Sequence, residues 1–233
     1  MSAASSPGGN RTRATSRHRG HPSSTAALLG AQSTVQPAKP VSRSYLTGTD
    51  RTRVLRWGFW PTWVLVAIDH FSRKVVACWP LEGPNAGWMV DAMEETFLQD
   101  GAPRHLISDQ EGIFTGEAFA ALLGDWNIKH RFGAVGEHGS ITVTERVILT
   151  LKYEWLKRVP VIRGLDHLGQ LLGDFVLWYN EYRGHATLGG AVPSMIHRGE
   201  QWTKPEKSAK TLPINIERRV FADTRITAYR LAA

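Results

Sequence analysis

Thr62-Trp63-Val64-Leu65-Val66-Ala67-Ile68-Asp69 is the strongest strand signal in the chain, a β-branched apolar run that ends in an acid. Upstream, residues 46–55 can form a strand, closed by a turn at Gly58-Phe59-Trp60-Pro61. Downstream, Asp69-His70-Phe71-Ser72-Arg73 reads as a second turn, and Lys74 to Trp79 as a third strand. Three successive strands with short connections predict an antiparallel meander.

Helices and strands then alternate. Asn85 is placed to cap a helix running to Asp100, with Trp88, Ala92, Met93, Thr96 and Phe97 on its apolar face and Gly101 and Pro103 to stop it. Residues 104–109 read as a fourth strand, Glu117 to Trp126 as a short helix, and Ile128 to Phe132 as a fifth strand. Gly133 to Thr142 is expected to be a mobile loop. A helix from Thr144 to Val159 and another from Asp166 to Tyr182 follow. Ile148, Leu149, Trp155 and Leu156 are expected in the core, with Trp178 and Tyr179. Three antiparallel strands, then helix-strand-helix-strand-helix, is the order of an RNase H-like α/β fold. That fold is a mixed five-stranded sheet flanked by helices.

The sequence divides into three parts. Residues 1–45 are rich in Ser, Arg, Ala, Gly and Pro without periodicity, and are expected to be disordered. They read as an organelle transit peptide, as a basic arm for nucleic acid, or as a non-native leader on a truncated gene. Residues 46–195 hold the ordered core. Residues 196–233 hold a linker punctuated by Lys204, Lys207 and Lys210, then a strand or hairpin over Arg219 to Leu231 that is too short to be a domain of its own.

Charge supports this division. The net charge is +7, and residues 1–49 supply +6 of it, with six Lys or Arg and no Asp or Glu. A basic leader of this kind can bind phosphate in a salt-dependent way without reading sequence. Cys78 is the single cysteine, which excludes an internal disulfide framework; its apolar strand makes it a small core residue rather than a nucleophile. No apolar run is long enough to span a bilayer. His130, His138 and His185 are too scattered for a zinc site, and no phosphate-binding glycine loop is present.

Two carboxylates carry the chemistry. Asp109 ends the strand Arg104-His105-Leu106-Ile107-Ser108-Asp109, and Glu145 follows after thirty-five intervening residues, on a helix's first turn. One acid at a strand end and one on a helix can meet over a shared hard cation, which takes oxygen ligands. Paired Mg²⁺ or Mn²⁺ ions serve phosphoryl transfer on nucleic acid. Each acid also has an ordinary reading. Asp109 can begin a turn, and Glu145 completes a capping box with Thr142.

Local words extend the argument. Ser108-Asp109-Gln110-Glu111-Gly112, Thr144-Glu145-Arg146 with Thr150-Leu151-Lys152-Tyr153-Glu154-Trp155, and Trp178-Tyr179-Asn180-Glu181-Tyr182-Arg183-Gly184-His185 occur in that order. Together they resemble the catalytic core of DDE-type insertion-sequence transposases, relatives of retroviral integrases, over roughly Asp50 to Met195. The resemblance implies a third carboxylate on the first strand. Asp50, in Asp50-Arg51-Thr52, matches the family's word there and is preferred over Asp69, whose setting looks like a turn. Upstream the chain departs from the family, with Thr47 where a Trp is usual.

The resemblance further implies that Asp50, Asp109 and Glu145 hold two Mg²⁺ or Mn²⁺ ions. They would cut DNA strands and transfer a 3′-hydroxyl. Lys152, Arg146 and Arg183 become candidate DNA contacts. Double-stranded element ends and target would be the partners of a homo-oligomer, in a bacterial cytoplasm. Two alternatives stay open: an inactive DNA-binding remnant, and a nuclease of the same fold that cuts without joining.

Overall fold

The computed structural model describes residues 46–81, 83, 85–133, 140–203 and 216–231, with backbone alone at 46–50, 140 and 141. The leader, most of the glycine loop with His138, and the lysine-punctuated linker lie outside the described residues.

A five-stranded sheet organises the rest. It comprises β1 (Leu46–Arg56), β2 (Trp60–Asp69), β3 (Val75–Leu81), β4 (His105–Ser108) and β5 (Lys129–Phe132), in the order β3-β2-β1-β4-β5. β1, β2 and β3 form the expected antiparallel meander, while β4 joins β1 in parallel and β5 joins β4 in parallel. This is the RNase H-like arrangement.

Both faces of the sheet are covered, as its apolar strands require. Alternation along β2 sends Leu65 to one face and Val64, Val66 and Ile68 to the other. The Leu65 face is packed by α1 (Ala86–Asp100), α2 (Gly112–Thr115) and α3 (Glu117–Asp125), through Met89, Met93, Phe114, Phe119 and Leu122. The opposite face is packed by α4 (Ser140–Leu149) and α5 (Leu165–Leu177), through Val147, Leu168, Leu172 and Phe175, with Leu151 added by the turn after α4. Asn85 caps α1 as expected, accepting from the Gly87 N–H at 2.8 Å.

Some details differ from the sequence reading. Met89, not Trp88, leads the buried stripe of α1, because Met89, Met93, Thr96 and Phe97 hold the helical period. Leu149 is 49% exposed and lies outside the core, since Val147, Ile148 and Leu151 already fill the inward side of α4. The helix expected over 144–159 begins at Ser140, and it is α-helical only to Leu149. A π-helical segment (Thr150–Trp155) and a 3₁₀ turn (Leu156–Arg158) complete it. A second π-helical segment, Trp178–Tyr182, ends α5.

Trp155 anchors that composite helix. It is fully buried, donates from its indole to the Leu171 carbonyl at 2.8 Å, and stacks on Trp178 at 5.3 Å. It also meets Phe221 edge-on at 5.2 Å. Phe221 belongs to a C-terminal hairpin, β6 (Ile216–Phe221) and β7 (Ile226–Leu231). The hairpin expected from its alternating pattern is thus joined to the main core through Phe221 and Ala228. α6 (Pro193–Arg198) precedes it. Cys78 is buried as expected, and burial pushes its thiol far up, away from nucleophilic use. Among the described residues no helix is long and apolar enough to cross a membrane.

Asn180 closes an edge. β3 is an outer strand, and the Asn180 amide pairs with Val75 as another strand would. It accepts from the Val75 N–H at 2.9 Å and donates to the Val75 carbonyl at 2.9 Å. Val75 is buried, so both backbone groups depend on this side chain. Asn180→Ala should therefore cost about 2–4 kcal/mol, from two buried groups left unpaired. Urea denaturation checks this, and a loss below about 0.5 kcal/mol would mean that water satisfies the strand edge.

Candidate active site

β1 and β4 bring two of the three acids side by side. The parallel ladder ends at Thr49↔Ser108, and Asp50 and Asp109 each come one residue later. Adjacent strands lie about 4.8 Å apart, so the backbones at 50 and 109 are neighbours at the ladder's end. Position 50 is in phase with Thr52 and Val54, which oppose Val64 and Thr62 on β2. That is the phase of the face covered by α4, which packs on β1, β2 and β4. The side chain of Asp50 lies outside the described residues.

Asp109 is half-buried at the start of a turn. Its carboxylate accepts from the Glu111 N–H at 3.3 Å, an Asx-type bond that fixes the loop after β4. Burial pushes its carboxyl up. The Glu111 N–H and Arg51 pull it down, the Glu111 charge pushes it up again, and the balance stays above the ordinary value. The loop is pinned to β1 by an ion pair between Arg51 and Glu111. Arg51 also stacks over Trp63 at 4.4 Å. Sequence reasoning missed this Arg51–Glu111 clamp. The only hint was an acid two residues after Asp109, with no means of pairing it across sixty positions.

Glu145 is exposed on α4. It sits in the second helical turn, not the first, because the helix begins at Ser140. Thr142 is already inside the helix, so the capping-box geometry does not apply. Its neighbour Arg146 is likewise exposed. Lys152 is half-buried in the π-helical segment, whose wider turn rotates it off the line that an unbroken α-helix would share with Glu145.

Asp69 occupies a different kind of setting. It is almost fully buried, and its carboxylate accepts from the Ser72 N–H at 3.0 Å, the Ser72 hydroxyl, and the Phe71 N–H at 3.3 Å. His197 Nδ1 approaches to 3.6 Å. Burial alone would push this carboxyl up. The bonds from His197, Ser72 and Phe71 outweigh burial and hold it below the ordinary value. The acid thus serves the β2–β3 turn and ties α6 to it.

Arg183 is also engaged. Its guanidinium contacts both Glu154 oxygens at 2.9 Å and lies over Trp178 at 5.5 Å, joining the end of α5 to the π segment of the α4 helix. His185 is buried against Tyr179, and burial together with Arg183 pushes it down to about 4. Gly184 is required sterically, because a Cβ there would stand 2.6 Å from the Gly190 carbonyl oxygen. Among the described residues no three His, Cys, Asp or Glu converge on one point.

Comparisons with known proteins agree with this architecture. Two models, each described as an integrase core domain, match residues 45–138 and 127–193. The chain belongs to the integrase core-domain superfamily. An uncharacterized protein of Caenorhabditis elegans, K02A2.6, is 30% identical over 113 residues, 48% of this chain. The match spans only 8% of that relative's length.

Among solved structures, the HTLV-2 integrase catalytic core domain in complex with magnesium, in dimeric form, superposes with a TM-score of 0.53 at 17% identity, covering 68% of this chain and 98% of that one. The catalytic core domain of BIV integrase gives 0.54 at 23%, covering 67% and 95%. A simian T-cell lymphotropic virus intasome in complex with PP2A regulatory subunit B56 gamma gives 0.58 at 14%, covering 80% and 66%. At these identities the likeness establishes the integrase-type fold.

The Asp69 assignment has a pH signature. A carboxyl held below its unfolded value of about 3.9 adds stability that is present above that pH and lost as pH falls through the lower folded value. Asp69→Asn should lower stability at pH 7 by about 1–3 kcal/mol. Its deficit should shrink as the pH drops below about 4. Urea midpoints at pH 7 and pH 3 test this, and a deficit independent of pH would show that the carboxylate's charge is not what the turn uses.

Proposed function

We propose that this integrase core is a polynucleotidyl transferase that nicks DNA and joins the freed 3′-hydroxyl to a second DNA strand. Asp50, Asp109 and Glu145 are its catalytic carboxylates. The observation that carries the reading is the register of β1 on β4, which ends with Asp50 beside Asp109 under the helix that bears Glu145.

The donor set fits a hard divalent cation. All three candidates are carboxylates, and Asp109 is a carboxyl whose charge burial disfavours until a cation compensates. Asp50 and Asp109 would share one Mg²⁺ or Mn²⁺, and Glu145 would help to hold a second. When bound, such a pair supplies charge neutralisation at the attacking and leaving oxygens of an in-line phosphoryl transfer.

The chain's own contribution is positioning. The Glu111 N–H fixes one Asp109 oxygen, and the Arg51–Glu111 pair keeps that loop against β1. Glu145 stands exposed on a helix whose other side is anchored in the core and which packs on β1, β2 and β4, open to a substrate from solvent. Arg146 and Lys152 follow on the same helix and offer cations to the phosphates flanking the reacting one. Arg183, held by Glu154, acts on DNA only through the helix end it braces. A homo-oligomer on paired DNA ends would supply both reacting strands.

A strand-transfer assay on a DNA end already carrying its free 3′-hydroxyl, in Mg²⁺ or Mn²⁺, tests this directly. Joined product is expected from the wild type. Asp109→Asn and Glu145→Gln should each lower it by at least about 100-fold. Cleavage without joining would make the chain a nuclease. DNA binding with neither product would make it an inactive remnant.

A further inference from the structure

Ser108, the last residue of β4, is only 1% exposed. A buried hydroxyl has to find partners, and this one finds two. It donates to the Asp109 carbonyl at 2.8 Å, and Nε2 of His130 on β5 stands 2.9 Å from the same hydroxyl oxygen. A serine has one hydrogen to give. With that hydrogen on the Asp109 carbonyl, the oxygen can only accept from His130, so the imidazole hydrogen belongs on Nε2. Burial pushes His130 below its ordinary value, so at neutral pH the ring is uncharged and carries that single hydrogen.

Neighbouring rings set the imidazole in place. Phe119 meets it edge-on at 5.4 Å and 82°, and Phe132 lies against it at 4.5 Å and 55°. Phe119 is fully buried, so one wall of this slot belongs to the core. Two aromatic neighbours at different inclinations restrict the turning of the ring between them. Nε2 therefore keeps a fixed direction, toward Ser108. Ser108 is in phase with Leu106, on the face packed by α3, so His130 grips the end of β4 from the side away from α4.

Asp109 is thus restrained at three points. Its carbonyl is tied through Ser108 to His130, and its carboxylate accepts from the Glu111 N–H at 3.3 Å. The Ser108 carbonyl, in the peptide before it, accepts from the Gly133 N–H at 2.9 Å. A carboxylate is placed by the peptide units on either side of it. Groups that orient a metal ligand in this way commonly matter by about 10–100-fold in metal affinity or activity.

We infer that His130 is a positioning residue for Asp109, acting through the Ser108 hydroxyl to fix the backbone that carries the carboxylate. The inference rests on the polynucleotidyl transferase reading, and it adds to that reading a residue on the face of the sheet opposite the helix of Glu145.

Two measurements on the full-length chain test it. The first needs no metal. In protein labelled with ¹⁵N-histidine, long-range ¹H–¹⁵N spectra report which ring nitrogen carries the hydrogen, and His130→Gln assigns the His130 signals by their loss. The hydrogen is expected on Nε2. A hydrogen on Nδ1 would mean that Ser108 donates to the ring and not to Asp109, which would overturn the inference.

The second is Mn²⁺ binding without DNA, read by electron paramagnetic resonance with Asp109→Asn as the blank. Ser108→Ala leaves both aromatic neighbours in place and removes only the hydroxyl. It should raise the half-saturating Mn²⁺ concentration by about 10-fold or more. His130→Leu should do the same. The two together should be no worse than either alone, because both cut one chain of bonds. His130→Gln, whose amide can donate from the position of Nε2, should recover most of the affinity. A ring that only packs gives a different pattern: His130→Leu lowers the urea midpoint and leaves Mn²⁺ affinity intact. That result would overturn the positioning role and leave the transferase reading standing. A wild type that neither binds Mn²⁺ nor joins DNA ends would overturn the transferase reading, and the positioning role with it.

Discussion

Four residue pairs between β1 and β4 hold the two halves of the sheet together. The ladder from Leu46↔His105 to Thr49↔Ser108 is the junction between an antiparallel meander and a parallel half-sheet. Its register sets Asp50 beside Asp109. A slip of one residue would send every side chain of a strand to the opposite face. The register is held from both sides. β1 is locked to β2 over ten pairs. The far end of β4 is continued by a turn whose Glu111 reaches back to Arg51 on β1. The proposed site, built on two strand ends, is only as well defined as that registration.

The helix bearing Glu145 is subject to a second constraint, the need to keep Trp155 in the core. Trp155 touches Phe175, Trp178 and Phe221, so it joins the α4 helix, α5 and the C-terminal hairpin at one place. The π-helical segment begins at Thr150, whose hydroxyl bonds the Arg146 carbonyl at 3.0 Å. A wider turn winds less angle per residue, so Leu151 and Trp155 can both face inward. The same segment carries Lys152, so packing at Trp155 fixes the backbone that bears it.

Much of this was legible in the sequence, for physical reasons. β2 announces itself because it is buried on both faces and must be apolar at every position from Val64 to Ile68. α1 is marked by its Asn85 cap and its Gly101 stop. The order of elements then restricts the fold to one familiar arrangement, and the motif words point to Asp109 and Glu145. What was not legible depends on contacts distant in sequence. The start of α4 was misplaced because Ser140 follows glycines that read as loop. Glu145 looked like a cap only because of that error. Leu149 was placed in the core by its apolar character, and nothing local reveals that Val147, Ile148 and Leu151 already fill that side. The roles of Asn180 and Arg183 could not be ranked from sequence, since each is defined by a partner, Val75 or Glu154, on another element.

Asp69 and Asp109 show why residue type alone does not select a catalytic acid. Both sit at a strand's end and accept from the backbone of the following turn, Asp69 almost fully buried and Asp109 half-buried. Asp69 has more donors than its burial costs, so its charge is satisfied internally and its carboxyl lies low. Burial pushes the Asp109 carboxyl up, and one N–H together with Arg51 does not offset burial and the Glu111 charge, so it lies above the ordinary value. A structural acid is one whose hydrogen bonds close the account within the protein. A half-buried carboxylate with one backbone donor, one residue past the ladder that ends at Thr49↔Ser108, fits the cation role proposed for it. That difference in satisfaction separates a turn residue from a candidate cation ligand in this fold.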